Sequence, residues 1–216
     1  ISVGGFGAAR TLATAFNDEP QAASRPFDRR RDGFVLAEGA AVLVIERLSH
    51  ARIRGATPLA ILSGYGTSAD AYHVTSGEPT GAGAQVAMRQ ALRSAGLTYV
   101  EIDYINAHGT STQVGDAAEL AGIGAVFAGR GTDLAISSTK SATGHLMGAA
   151  GAIEAVFSIM AIREGLVPAT LNLDDPDVGD QFDLVPRQAK PKAVRHALSN
   201  SFGFGGVNAS LVFSAI

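Results

Sequence analysis

The sequence predicts a layered α/β protein, and three observations carry that reading. Between Pro58 and Ser138 short apolar runs alternate with amphipathic stretches, a βαβα order. The stretch Gly144 to Glu164 is apolar nearly all round, as a helix buried on every side requires. Three strand ends run into clusters of glycine and polar residues, where α/β proteins tend to place function.

The elements follow in order. Apolar side chains at helical spacing predict a helix over Gly5 to Ala15, ended by Asn17-Asp18-Glu19-Pro20. A loop runs to Asp32. The apolar run Ala40 to Ile45 suits a buried strand, and a basic helix end over His50 to Arg54 stops at Gly55. Pro58 to Tyr65 reads as a strand, Gly81 to Ala95 as a helix closed by Gly96, Ile102 to Ala107 as a strand, and Gly115 to Phe127 as a helix. Ala135 to Ser138 is a short strand before the long helix from Gly144. Pro168, Pro176, Pro186 and Pro191 then break the chain into extended loops. Two closing strands, Ala197 to Asn200 and Asn208 to Phe213, flank the turn Gly203-Phe204-Gly205-Gly206.

Composition removes several classes of function. Of the 216 residues 46% are hydrophobic and 17% charged, which describes a folded globular chain. A net charge of −3 gives no electrostatic reason to expect nucleic acid, and the short basic run Arg29 to Arg31 reads as a solvated face. No apolar stretch is long enough for a membrane span, and the N-terminus has no signal-peptide pattern. There is no cysteine, hence no thiol nucleophile, disulfide or thiolate metal site in this sequence. The chain opens at Ile1 on a glycine-containing amphipathic segment with no strand before it, and so reads as a fragment. No nucleophile elbow, phosphate-binding loop or complete dinucleotide fingerprint is present, and the five histidines are too scattered for a local metal pair.

What remains is concentrated at the strand ends. His108 follows an apolar strand and precedes Gly109, which places its ring at the strand's mouth. His145 falls in the first turn of the predicted long helix, where the helix N-terminus disfavours imidazolium and keeps the ring a neutral donor. Glu154 is the only acid in the central turns of that helix, and an unpaired carboxylate there would cost several kcal/mol. Lys140 is the nearest cation in sequence. Spacing alone fits a structural ion pair as well as a catalytic one.

The strings NAHGTST (Asn106 to Thr112), SSTKSATGHLMGAAG (Ser137 to Gly151) and NSFGFGGVN (Asn200 to Asn208) resemble the second half of the elongating β-ketoacyl-[acyl-carrier-protein] synthases. RPFDRRRDGFVLAEGAAVLVIE and DAYHVTSGEPTGAG resemble the free-standing type II enzymes more than a modular polyketide ketosynthase. The resemblance spans the chain. It implies the thiolase-like fold, layered α-β-α-β-α, with residues 1–55 ending the N-terminal half and residues 56–216 forming the C-terminal half.

The resemblance also implies a decarboxylating Claisen condensation of malonyl-acyl-carrier-protein with an acyl-cysteine in fatty-acid elongation, the cysteine lying upstream of Ile1. His108 and His145 would steady the enolate through Nε2, Lys140 would polarise them, and Glu154 would hold Lys140. The Phe204 N–H would serve the acyl oxyanion hole, and its ring would gate the acyl pocket. Thr75, Thr110 and Thr112 would line the pantetheine entrance, and Arg10 would meet the acidic carrier protein. Asn106 and Glu154 match positions that surround a monovalent cation in some relatives, although a structural role suffices for both. The resemblance further implies no cofactor, acyl carrier protein as partner, a homodimer with the upstream half in place, and a bacterial-type cytoplasmic or organellar setting. A non-catalytic ketosynthase-like partner subunit and a polyketide ketosynthase are the alternatives. A thiolase or an initiating synthase would carry cysteine or asparagine where this chain has His145.

Overall fold

The computed structural model describes residues 1–177 and 182–216. Among them the strands are β1 (Ile61–Ala69), β2 (Tyr104–Asn106), β3 (Ala135–Ser137), β4 (Leu166–Val167), β5 (Lys190–Pro191), β6 (His196–Gly203) and β7 (Val207–Ser214). The α-helices are α1 (Ser2–Ala8), α2 (Leu48–Ile53), α3 (Ala82–Ala95), α4 (Gln113–Val126), α5 (Lys140–Thr143) and α6 (Ala150–Glu164). Five strands make one mixed sheet in the order β1-β7-β6-β2-β3, and β4 pairs with β5 beside it.

Pleat alternation sorts the core into two faces. Ile105, Ile136 and Leu198 pack with Met88 of α3 and Leu120 and Ile123 of α4. Their neighbours Tyr104, Ala135 and Ala197 point the other way, towards Ala161 of α6. The result is an α-β-α sandwich. At β1 the fit to α3 is close: a Cβ on Gly66 would stand 2.1 Å from the Ala87 carbonyl oxygen, and one on Gly64 2.3 Å from that of Ala91. Because β2 pairs in parallel with both β3 and β6, three strands end at one edge of the sheet.

Several expectations need correction. The first helix stops at Ala8, because Arg10 takes a left-handed φ of 56° and Leu12 then pairs in parallel with Phe34. Ala40 to Ile45 forms no strand: no neighbouring strand pairs with it among the described residues, and Val42, Val44 and Ile45 stand exposed. Apolar character without a partner does not make a strand. The helix expected from Gly144 begins only at Ala150. Gly144, at φ 68°, approaches the Val35 carbonyl too closely for a Cβ, and His145 bridges in parallel to Leu36 instead. That helix buries Ala150, Glu154, Ala155, Ser158 and Ala161 along one side and leaves Met160 exposed, so it is not enclosed all round here. Finally, Arg31 is no part of a solvated face. It is 4% exposed and paired with Asp116 and Asp177, while Arg29 and Arg30 stay exposed opposite Asp175 and Asp174. The predicted strand at Pro58 to Tyr65 lies a few residues later, at β1. The short pair β4 and β5 falls where only loops were expected.

Candidate active site

Strand β2 delivers His108, and the backbone there is fixed from below by a carboxylate. Glu119 of α4, 3% exposed, accepts the N–H groups of His108 at 2.9 Å and Gly109 at 2.7 Å, and also the Asn200 amide at 3.1 Å. Burial pushes its pKa up, against the pull of those donors. Lys140, the first residue of α5 just after β3, is buried beside it. Its ammonium donates to the His108 carbonyl at 2.6 Å, to His108 Nδ1 at 3.3 Å and to Glu154 Oε1. An ammonium has three protons and no lone pair, so all three are used and His108 Nδ1 must be the acceptor. The imidazole proton therefore sits on Nε2.

His145 reaches the same state by another route. It does not occupy a helix N-terminus. The segment Val35 to Ala37 holds its backbone, with the His145 N–H donating to the Val35 carbonyl at 2.8 Å and the Ala37 N–H to its own carbonyl at 3.0 Å. Met147, bent to φ 53°, donates its N–H to His145 Nδ1 at 3.2 Å, which leaves the ring proton on Nε2. The two rings stand edge to face with centroids 5.3 Å apart. Burial, and then the Lys140 charge, lowers the His145 pKa to about 4. The same causes in the same order, with His145 added, hold His108 well below the ordinary imidazole range. Both are neutral donors at pH 7.

Glu154 sits on the first turns of α6, 1% exposed, and burial raises its carboxyl to about 7 against the attraction of Lys140. Its Oε2 is buried without a hydrogen-bond partner among the described residues. Asn106, fully buried, donates to the Glu154 main-chain carbonyl at 3.4 Å and accepts from the Thr139 hydroxyl at 3.4 Å. No group of three His, Cys, Asp or Glu side chains suited to a metal occurs among the described residues.

Both histidines line a cleft of about 900 Å³ that Thr75, Thr110, Thr112, Phe204 and Arg10 also line. Ser111 explains how two threonines reach it together. Its left-handed φ of 70° is strained for a residue with a side chain, and strain of this kind, about 1–3 kcal/mol, persists only where neighbours over-determine it. Here they do: Asp116 takes the Ser111 N–H at 3.1 Å, the Gly33 N–H meets its carbonyl at 3.0 Å, and the Arg25 N–H meets its hydroxyl at 3.1 Å. Thr110 and Thr112 are left with their hydroxyls 3.1 Å apart. Phe204 is 48% exposed, and its ring lies 6.0 Å from that of Phe6. Its turn is latched to the neighbouring loop, Gly205 N–H to the Val74 carbonyl at 2.7 Å and Asp70 N–H to the Gly206 carbonyl at 2.8 Å.

Asp116 and Glu119 were missed from sequence. The signal was the one that singled out Glu154: acids, three residues apart, inside an otherwise apolar helix. Arg31, Asn200 and Phe34, whose ring packs 5.4 Å from His145, had no such mark.

The layer order and the mixed sheet are those of the thiolase-like class. Residues 59–174 match the family model described as beta-ketoacyl synthase, C-terminal domain, and residues 1–51 match the one described as beta-ketoacyl synthase, N-terminal domain. The chain belongs to the beta-ketoacyl synthase family. It is 53% identical over 212 residues to 3-oxoacyl-[acyl-carrier-protein] synthase 2 of Rhizobium meliloti, covering 98% of this chain and 50% of that protein. It is 54% identical over 219 residues to the mitochondrial 3-oxoacyl-[acyl-carrier-protein] synthase of Arabidopsis thaliana, covering all of this chain and 48% of that protein. A solved beta-ketoacyl synthase from Burkholderia phymatum aligns with a TM-score of 0.93 at 40% identity, over 100% of this chain and 52% of the other. The AntDE:AntF complex, a type II PKS acyl-carrier protein with its ketosynthase bound to the hexaketide, aligns with a TM-score of 0.96 at 36% identity, over 100% and 53%. The chain thus spans about half the length of the curated relatives it matches. Among its described residues no helix is long and apolar enough to cross a membrane.

Proposed function

We propose that this chain supplies the enolate-stabilising part of a 3-oxoacyl-[acyl-carrier-protein] synthase that elongates fatty acids. One observation carries the reading: two neutral imidazoles face one cleft with both Nδ1 atoms occupied and, among the described residues, neither Nε2–H group paired. In the reaction, malonyl thioester loses carbon dioxide, and the electron pair of the broken C–C bond becomes an enolate whose oxygen takes hydrogen bonds from His108 and His145. The enolate carbon then attacks an acyl-cysteine thioester, forming the new C–C bond and expelling the thiolate. That cysteine lies outside these 216 residues, which contain none.

Lys140 orients His108 from behind, and Glu154 holds Lys140. Preorganised donors of this kind act strongly in a site closed to water. The Phe204 N–H is the acyl oxyanion donor and its ring is the gate. Thr75, Thr110 and Thr112 take the pantetheine arm, and Arg10 at the cleft mouth takes the acidic carrier protein. The acyltransferase works as a homodimer in the cytoplasm or an organelle. A polyketide ketosynthase is the second reading, favoured by the similarity to AntDE:AntF and to the ishigamide ketosynthase/chain length factor.

The test uses the enzyme that combines this segment with its cysteine-bearing half. His108→Ala or His145→Ala lowers malonyl decarboxylation by about two to three orders of magnitude, the usual loss for one oxyanion donor. Acylation of the cysteine survives far better. If His145→Ala abolished acylation and spared decarboxylation, His145 would be the base that activates the thiol. The 216 residues alone, incubated with an acyl-carrier-protein thioester, should show no covalent adduct by mass spectrometry, since they hold no thiol.

A further inference from the structure

Arg31 sits behind the wall of the cleft that carries Thr110 and Thr112, and it touches that wall through its main chain. Its Nε donates to the Thr112 carbonyl at 3.1 Å and its Nη2 to the Gln113 carbonyl at 2.9 Å. Its Nη1 donates to the Asp28 carbonyl at 2.9 Å and to Asp177. The Asp116 carboxylate lies 3.6 Å from Nε, and that same carboxylate takes the N–H groups of Ser111 and Phe27. One planar fork therefore fixes two successive carbonyls of the strained Ser111 turn, and residues 25–33 close over it. We propose that Arg31 is a positioning residue that sets where the Thr110 and Thr112 hydroxyls stand, and through them how tightly the cleft holds the arm of its thioester substrate.

The inference rests on the proposed function for the identity of that arm; the hold on the turn itself does not. Arg31 reaches no part of His108: the His108 and Gly109 N–H groups are held separately by Glu119. Disturbing Arg31 therefore weakens substrate binding and leaves the enolate chemistry in place.

Arg31→Lys keeps the charge beside Asp116 but cannot span two carbonyls, because an ammonium is a point donor rather than a fork. In the complete enzyme it should raise KM for malonyl-acyl-carrier-protein about tenfold, as expected for losing one charge-assisted hydrogen bond. The kcat should stay within about twofold, and amide exchange across Ser111–Gly115 should accelerate. Asp177→Asn removes the contact on the far side of the guanidinium and should lower the melting temperature without moving KM. A purely structural Arg31 would make the two variants alike. The proposal is overturned if Arg31→Lys leaves KM and amide exchange unchanged, if exchange rises with no change in KM, or if kcat falls while KM stays put. Whether the unsubstituted enzyme condenses malonyl thioesters at all tests the functional reading separately, and the exchange measurement does not depend on it.

Discussion

Replacing Lys140 by methionine should change how stability depends on pH, and the structure gives the size of the change. Methionine keeps most of the stem volume and removes only the ammonium that faces Glu154. In the parent protein the Glu154 carboxyl is raised from 4.5 to about 7. A group whose folded pKa lies above its unfolded value contributes full stability below the unfolded pKa and loses it as pH rises through the folded one. The parent therefore loses stability between pH 4.5 and 7, on the order of 3 kcal/mol, and levels off above 7. Without Lys140, burial acts unopposed and drives the folded pKa higher. The variant should keep losing about 1.4 kcal/mol per unit beyond pH 7, so that the two profiles separate by roughly 3 kcal/mol at pH 9. Urea denaturation of parent and Lys140→Met between pH 5 and 9 measures this directly. A second substitution, Glu154→Leu, removes the titrating carboxyl, so the double variant should lack the parent's loss between pH 5 and 7 and run parallel to the parent only above pH 7. Profiles that stay parallel above pH 7 in the single variant would refute the argument, because Glu154 would then be finding its counter-charge elsewhere.

Three further outcomes follow from the same geometry. Malonyl decarboxylation should be flat from about pH 8 down to 5.5, since both histidines are held neutral below the usual imidazole pKa of 6.5; a fall starting near 6.5 in the rate profile would mean that they titrate as free imidazoles. Phe204→Ala should cost less than about 1 kcal/mol, because the ring is already half exposed, yet it should let malonyl thioester turn over before the cysteine is acylated; a large drop in melting temperature with unaltered kinetics would make Phe204 a core residue. Gly66→Ala should destabilise by about 1–3 kcal/mol or more in thermal unfolding, since its Cβ meets helix backbone rather than a movable side chain; a neutral result would show that β1 and α3 slide freely.

Local pattern was enough for much of the fold. Helix α3, with Gly81 and Gly96 bounding it at left-handed φ, and strands β2, β3, β6 and β7 are all legible from periodicity and glycine placement, because each signal lies within one segment. Glu154 stands out as an acid in an apolar helix, and Lys140, the nearest cation in sequence, is its partner in the structure. The failures share a cause. Ala40 to Ile45 has the composition of a strand, but pairing is a property of two segments, and no other described segment pairs with it.

The sequence by itself therefore determined the elements α3, α4, β2, β3, β6 and β7, the two histidines and the buried charge pair, since those depend on residue type and spacing. Tertiary structure alone decided how His145 is held: Val35 and Ala37, more than a hundred residues away, capture its backbone and pull it out of the helix that local propensity assigned to it. It likewise turned Arg31 from a presumed surface charge into the clasp behind Ser111, a contact across 81 and 82 residues of chain to the Thr112 and Gln113 carbonyls. Hydrogen bonds that close loops of that length leave no trace in local periodicity, because the partner's position is fixed only once the sheet has brought the two segments together.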